Sequence, residues 1–337
     1  MKDRYLALNL RLFDTTINAT TSNSSGNNLS AEMKTYYDNY LIDNAEPELV
    51  HDQFGQKRPI PKNGGKKIEF RKYNPLPKAL TPLTEGVTPD GRPLDATTIT
   101  AEVAQYGDWI MLSDMLLLTA IDNNMVQAVE LLGSQAGRTL DTVTREVLNG
   151  GTSVQYAEGQ VTARNLLTKD HKLTVKAIKM AARFLKTQNA KKIDGSFVGI
   201  IHPDCEYDLT SDPEWKDMNK YTTPDLAWNG EIGKIAGVRF VETTEAKIWE
   251  KAGKAPSSGD APDVYSTLVL GSNAYGVTEV SGGGLETIIK QLGSGGTSDP
   301  LNQRASAGWK ATKVAERLVE QFMCRIETTS SFDSGAN

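Results

Sequence analysis

Hydrophobic and polar residues alternate in two segments that lie on either side of a proline-rich stretch. In Lys66–Tyr73, Ile68 and Phe70 fall on one face and charged residues fall on the other, and Thr97–Gln105 alternates in the same way. Because successive side chains of a strand point to opposite faces, each segment predicts a half-exposed strand. Together they predict an antiparallel hairpin.

The predicted hairpin has an unusually long tip, "YNPLPKALTPLTEGVTPDGRP" (Tyr73–Pro93), with prolines at 75, 77, 82, 89 and 93. Proline excludes a long helix here. Connections longer than about 12–15 residues without regular structure are uncommon inside compact domains. A two-stranded ribbon is also only marginally stable alone in water, so we expect this arm to lie against another surface.

The clearest helical pattern is "NNMVQAVELLGSQAGRTLDTVTREVLNGG", which Asp122 can cap and Gly150–Gly151 can stop. Apolar residues recur in it every seven positions, which predicts a strut about 40 Å long that faces one partner surface along its length. We call this predicted element the spine helix. Its predicted packing residues are Val126, Val129, Ala136, Leu140, Val143 and Val147.

Between about residues 168 and 298 the pattern changes to alternating helices and strands. The spacing predicts a helix near Thr174–Gln188 and strands at Ser196–His202, Gly237–Thr244 and Val264–Asn273. The segment Ser306–Ser330 fits either a helix or a strand. Its alternating end, "QFMCRIETT", favours a strand that returns to pack on the spine helix. Helices and strands in this arrangement predict an α+β fold.

Composition narrows the class of protein. The chain has 337 residues, of which 39% are hydrophobic and 23% charged, as in globular proteins. Its densest apolar run, Trp109–Leu118, is too short for a membrane span, and the N-terminus resembles a signal peptide only faintly. We interpret the chain as a cytosolic product. The net charge of −5 argues against a protein that mainly binds phosphate backbones.

Candidate chemistry is sparse. Neither His51, His171 nor His202 has the spacing of a metal site, and no phosphate-binding loop or nucleophile elbow occurs. The motif "HPDCE" (His202–Glu206) gathers reactive residue types, but a strand-to-helix junction with Pro203 at its first helical position explains the same letters. We therefore predict no catalytic, cofactor-binding or metal-binding residue, and no enzyme.

One charge pattern leaves an alternative function open. Seven basic and no acidic residues lie between His171 and Lys192. Such a face is typical of a helix that contacts nucleic acid, of a solvated outer face, or of one half of a charged contact between subunits. The candidate basic residues, which follow helical spacing, are Lys172, Lys176, Lys179, Arg183 and Lys186.

Several longer segments carry a family resemblance in matching order over about residues 29–330. They are "LSAEMKTYYDNYLIDNAEPELVHDQFGQKRPIPKNGGKKIEFRKYNPLPKALTPLTEGVTPDG", "LSDMLLLTAIDNN", "LLGSQAGRTLDTVTREVLNGGT", "GEIGKIAGVRFVET" and "GWKATKVAERLVEQFMCRIET". In these segments the chain resembles the major capsid proteins of tailed bacteriophages with the Hong Kong 97-type fold. The resemblance is closest to the family typified by coliphage N-four.

The resemblance implies a domain layout and places the interface on the hairpin. Residues 1–54 would be an N-terminal arm with a short helix, 55–112 an extended hairpin loop, 113–167 with 299–337 a peripheral domain holding the spine helix, and 168–298 an axial domain. The implied contacts of the extended loop with neighbouring subunits are Ile68, Phe70, Tyr73, Pro75, Pro77, Thr84, Glu85, Pro89 and Arg92.

The resemblance also implies how the protein acts. Copies would form hexamers and pentamers that close into an icosahedral shell around double-stranded DNA, which they would contact weakly and without specificity. Expected partners are scaffold and portal proteins and decoration proteins, with no membrane. Only about 28 residues precede the first predicted helix, which favours a separate scaffold. The expected location is the virion, after synthesis and assembly in the host cytoplasm. No covalent cross-link is predicted.

Overall fold

A computed structural model describes residues 41, 50–59, 66–73, 76–83, 85–88, 90–119, 124–219, 233–257, 259–278, 285–295 and 299–335. The strands, in chain order β1 to β15, are Gln56–Arg58, Lys67–Tyr73, Ala96–Glu102, Ala104–Ser113, Val154–Tyr156, Phe197–Ile201, Lys234–Ile235, Val238–Glu242, Ile248–Trp249, Val264–Leu270, Tyr275–Thr278, Leu285–Lys290, Arg304–Lys313, Ala315–Arg317 and Met323–Thr328. The helices α1 to α5 are Asp114–Thr119, Asn124–Asn149, Val175–Thr187, Pro203–Ser211 and Pro213–Asn219.

The predicted hairpin is present. Strands β2 and β3 pair antiparallel, from Lys67 opposite Glu102 to Tyr73 opposite Ala96. Strand β3 then runs almost without interruption into β4, and only Val103 separates them. Because β4 pairs with β13 along all ten of its residues, one extended segment serves two different sheets.

A seven-stranded sheet forms the largest layer, with the order β5-β15-β10-β6-β8-β7 and β9 beside β10. Helices α3, α4 and α5 cover one face, where buried residues such as Ile178, Leu209 and Trp215 contribute to a single core. The other face packs through Ile200 and Leu268 against the end of the spine helix and a small sheet, β1-β11-β14. Strands β6 and β10 are buried on both faces.

The spine helix is α2, and it confirms the predicted helix to its C-terminal end; the predicted cap, Asp122, lies outside the described residues. Its buried positions come in adjacent pairs that recur every four residues: 128/129, 132/133, 136/137, 140/141, 144/145 and 148/149. Four residues turn a helix by about 400°, so the buried stripe moves by about 40° per step and by about 200° over these five steps.

The rotation of this stripe corrects the prediction that the spine helix faces one partner surface. From its start to Leu140 it packs on the sheet β12-β13-β4, where Val129, Leu140 and Trp309 belong to one core cluster. Its last turn packs through Leu148 against the small sheet and the seven-stranded sheet. Of the predicted packing residues, Val129, Ala136 and Leu140 are buried, whereas Val126, Val143 and Val147 are half-buried.

The C-terminal segment consists of strands, as its alternation favoured, and Met323 of its last strand belongs to one core cluster with Leu148 at the end of the spine helix. Strand β15 lies inside the seven-stranded sheet, between β5 and β10. Strand β10 is buried on both faces, and its backbone groups require a hydrogen-bonded neighbour on each side. Strand β6 fills one side and β15 the other. The seven-stranded sheet therefore combines residues from both the predicted peripheral and the predicted axial domain.

Candidate assembly surfaces

The base of the hairpin belongs to the core of the subunit. Ile68 and Phe70 are buried and pack with Val314 and Leu318 in one cluster. The ring of Phe70 lies directly over Gly276 of β11. Ile68 and Phe70 were predicted as contacts with a neighbouring subunit, and the structure instead places them against their own chain, because the apolar face of a thin ribbon must be covered.

The tip of the hairpin is exposed throughout. Every described residue between 76 and 98 is exposed, including the predicted contacts Pro77, Glu85 and Arg92, and Tyr73 at the end of β2 is exposed as well. The other predicted contacts at the tip, Pro75, Thr84 and Pro89, lie outside the described residues. The structure thus divides the predicted interface into a buried base and an open tip.

The exposed tip carries large apolar side chains. Five of them are between 59% and 82% exposed: Leu76, Leu80, Leu83, Val87 and Leu94. Single exposed leucines are ordinary on a protein surface, whereas several along one stretch of chain form an apolar surface of the kind found at protein–protein contacts.

A second apolar surface lies on the outer face of the sheet β12-β13-β4. Along β4, Tyr106 and Ile110 point into the core, whereas Trp109 and Met111 point outward and are 62% and 52% exposed. The following helix, α1, has the sequence DMLLLT and buries none of its side chains.

The apolar run Trp109–Leu118 was predicted only to be too short for a membrane span. Among the described helices, none is long and apolar enough to cross a membrane. Alternation within "YGDWIMLS" was the signal that could have revealed an outer face.

The candidate basic face is largely paired with carboxylates. Lys172 precedes helix α3 rather than lying on it, and its Nζ atom is 3.8 Å from Asp208 Oδ1. Lys179 forms an ion pair with Glu214. Arg183 and Lys186, nearer the C-terminal end of the helix, are exposed.

Lys176 is also paired, because its Nζ atom lies 2.7 Å from Glu158 Oε2. The hydrogen bonds from Lys176 and Thr174 hold the pKa of Glu158 below its usual value. With three of five cations paired, the interpretation as a solvated outer face fits this helix best.

The "HPDCE" motif is a strand-to-helix junction, as its sequence predicted. His202 follows β6 and caps α4, because its Nδ1 atom accepts a hydrogen bond from the backbone N–H of Asp204 at 3.2 Å. Burial raises the pKa of the Cys205 thiol far above its usual value, which leaves it protonated and unreactive. The described residues contain no group of three or more His, Cys, Asp or Glu placed to hold a metal ion.

A buried ionic cluster was not predicted. The His51 Nδ1 atom lies 2.6 Å from Asp141 Oδ2 on the spine helix, and the His51 backbone N–H donates to Asp141 Oδ1 at 2.7 Å. Asp52 forms an ion pair with Lys313 of β13 and accepts a hydrogen bond from the Thr144 hydroxyl at 2.5 Å. The partners are far apart along the chain, so no local spacing signals the cluster.

Comparison with known proteins identifies the class. A family model described as phage capsid protein matches residues 96–315, which is more than half of the chain, and the chain therefore belongs to this family. It is a major capsid protein, a structural component of the virion and not an enzyme. A search among curated protein sequences finds no match.

Solved structures agree on the fold, which is the Hong Kong 97-type fold that the sequence implied. The cyanophage Pam1 capsid subunit matches with a TM-score of 0.63 at 13% identity, over 86% of this chain and 93% of that one. The capsid protein of Ralstonia phage GP4 matches with a TM-score of 0.61 at 14% identity, over 85% and 87%. The capsid protein of Helicobacter pylori bacteriophage KHP30 matches with a TM-score of 0.59 at 10% identity, over 81% and 87%.

Proposed function

We propose that copies of this chain assemble into hexamers and pentamers, which close into the icosahedral head of a phage around double-stranded DNA, and that the hairpin tip is a principal contact between subunits. The observation that carries this assignment is the set of exposed apolar side chains at residues 76–94, which nothing in the described part of the subunit covers. Standard interfaces bury about 1,600 Å² in total, and an arm reaches area on a neighbour that a compact lobe cannot.

The proline content of the arm supports the same role. Prolines restrict the free arm, which lowers the entropy lost when it docks on a neighbour. We assign residues 55–112 to this extended loop, 1–54 to an N-terminal arm, 113–167 with 299–337 to a peripheral domain and 168–298 to an axial domain. We place the chain in the N-four-like branch of these capsid proteins, on the sequence segments that resemble it.

The proposed partners follow from the same role. Scaffold, portal and decoration proteins would join the shell, and host cytoplasm would be the place of synthesis and assembly. Packaged DNA would be touched weakly, because the net charge is −5 and three of the five candidate basic residues are already paired. No observation favours nucleic-acid recognition by helix α3 as a second function.

Removing the tip tests the assignment. Because Tyr73 lies directly opposite Ala96, deleting residues 76–95 together with Pro75→Gly would join the two strands by a two-residue loop of the Asn-Gly type. We expect this variant to fold but to form no shells, since the subunit core is untouched and the contact is gone. Sedimentation and electron microscopy of both proteins provide the measurement.

Thermal unfolding is the control, because the variant should unfold at nearly the same temperature as the wild type. Shells of normal size from the shortened variant would refute the role of the tip. A wild-type chain that remains monomeric at high concentration, with and without a scaffold protein, would refute the proposed assembly as a whole.

A further inference from the structure

The small sheet β1-β11-β14 connects the hairpin to the spine helix. We call it the pedestal sheet. Its central strand, β11, pairs parallel with β1 and antiparallel with β14, and Gly276 is paired on both sides, with Gln56 and with Glu316. The face of the pedestal sheet at Gly276 receives the hairpin, because Phe70 of β2 lies on it.

The contact between Phe70 and Gly276 has no room for a side chain. A β-carbon added at Gly276 would overlap the edge of the Phe70 ring. The backbone of Gly276 is not in the left-handed region, so glycine is required here for space and not for conformation. Phe70 is completely buried although it belongs to a two-stranded ribbon, which shows that the ribbon is seated on the pedestal sheet.

The pedestal sheet is in turn fixed to the spine helix. Tyr275, the neighbour of Gly276, donates a hydrogen bond from its hydroxyl to the backbone carbonyl of His51, and its ring covers Gly55. His51 is bound to Asp141 of the spine helix. The contact of Phe70 with Gly276, which we call the seat of the hairpin, is therefore connected through buried hydrogen bonds to the spine helix.

We propose that Phe70 and Gly276 position the hairpin: they set the direction in which the tip leaves the subunit, and so determine whether it meets the neighbouring copy. This rests on the proposed function of the tip. Both residues are buried within their own subunit, so they would act on assembly through the hairpin.

The seat is important because a small tilt there moves the distant tip by a large distance. A tilt of about 10° at the seat displaces a point about 30 Å away by about 5 Å, and about nine residues of extended chain at about 3.3 Å each reach that far. A displacement of that size separates side chains that must touch. A closed shell needs the same contact in every copy. If the direction of the tip varied from copy to copy, the contact would be weakened throughout the assembly.

The variant Gly276→Ala tests the seat. We expect the yield of closed shells from purified subunits to fall by about tenfold or more, since a loss of about 1.4 kcal/mol already weakens a single contact tenfold and every copy repeats that contact. The double variant Phe70→Leu/Gly276→Ala should recover most of that yield, since the smaller side chain makes room for the added methyl group. Yield would be read by sedimentation and electron microscopy.

The chain offers a matched control in Gly199→Ala. Gly199 of β6 lies under Phe240 in the same manner, and a β-carbon there would be 2.7 Å from the ring, but this contact lies in the seven-stranded sheet. We expect Gly199→Ala to lower the unfolding temperature at least as much as Gly276→Ala does. The part of this control that remains folded should assemble normally.

Two results would overturn the inference. One is that Gly276→Ala assembles as well as the wild type. The other is that its loss of shells matches that of Gly199→Ala at equal folded concentration, which would reduce the effect to stability alone. A wild-type chain that forms no shells would instead refute the proposed function, so the two failures are distinguishable.

Discussion

His202 makes the stability of the fold depend on pH. Its Nδ1 atom must be unprotonated to accept the N–H of Asp204 and cap helix α4. Burial lowers the pKa of His202 below its usual value of 6.5, against the opposing effect of nearby Asp204 and Glu242. The folded state therefore binds this proton less readily than the unfolded state, so stability is lost as the pH falls below about 6.5.

We expect His202→Asn to flatten this part of the pH dependence. Asparagine is an equally good helix N-cap and does not titrate, so the cap remains at low pH. Denaturant midpoints at pH 7.5 and about 5.5 would be compared for both proteins, with a larger drop expected in the wild type. Equal drops in the two proteins would show that His202 contributes nothing to acid sensitivity.

At the scale of elements, local pattern was a good guide to where strands and helices form. The hairpin strands, the strands β6, β8 and β10, and helix α3 are present where alternation or helical spacing predicted them. The spine helix was predicted as an element, but its packing was not, because a stripe that rotates by about 40° every four residues leaves no single seam. The order of strands in the sheets could not be predicted either, because β15 and β10 are brought together only by the tertiary fold.

The spine helix supplies a test of which face is buried. Leu140 is fully buried in the core, whereas Leu131 of the same helix is 66% exposed. We expect Leu140→Ala to lower the free energy of unfolding by about 2–5 kcal/mol because it leaves a cavity. Leu131→Ala should change it by no more than about 0.5 kcal/mol.

Chemical denaturation of the free subunit would measure both variants. Similar losses in the two would contradict this assignment of a buried and an exposed face. Any effect of Leu131→Ala on assembly alone would not, because an exposed leucine is free to contact a neighbour.

At the scale of the whole molecule, the sequence pointed to the arm but not to how it is held. Exposure of the tip followed from prolines and a missing core, and the structure agrees. The seat of Phe70 on Gly276 and the ionic cluster around His51 and Asp52 depend on residues roughly 90 to 260 positions apart, which only the folded chain brings together. The outer face with Trp109 was not predicted, because the apolar run Trp109–Leu118 was interpreted only with respect to a membrane span.

Protease accessibility tests the arm in the assembled state. Lys78 is exposed in the tip and is followed by Ala79, so trypsin should cut there in free subunits, as it does at exposed loop tips. We expect the bond to become resistant in assembled shells, because the docked tip is covered. Cleavage sites would be read by mass spectrometry.

Lys254, exposed in a loop of the predicted axial domain, serves as the internal reference. Protection at Lys78 that exceeds protection at Lys254 is the expected result. Equal cutting at Lys78 before and after assembly would contradict the docking of the tip.

The unbroken run from β3 into β4 has a mechanical consequence. A pull on the arm travels along one covalent backbone from Ala96 to Ser113 and enters the sheet beside β13 lengthwise. The hydrogen bonds of that ladder lie across the direction of the load, so they resist together in shear and are not opened one after another. A docked tip would therefore transmit tension from a neighbouring subunit along this strand into the body of this one.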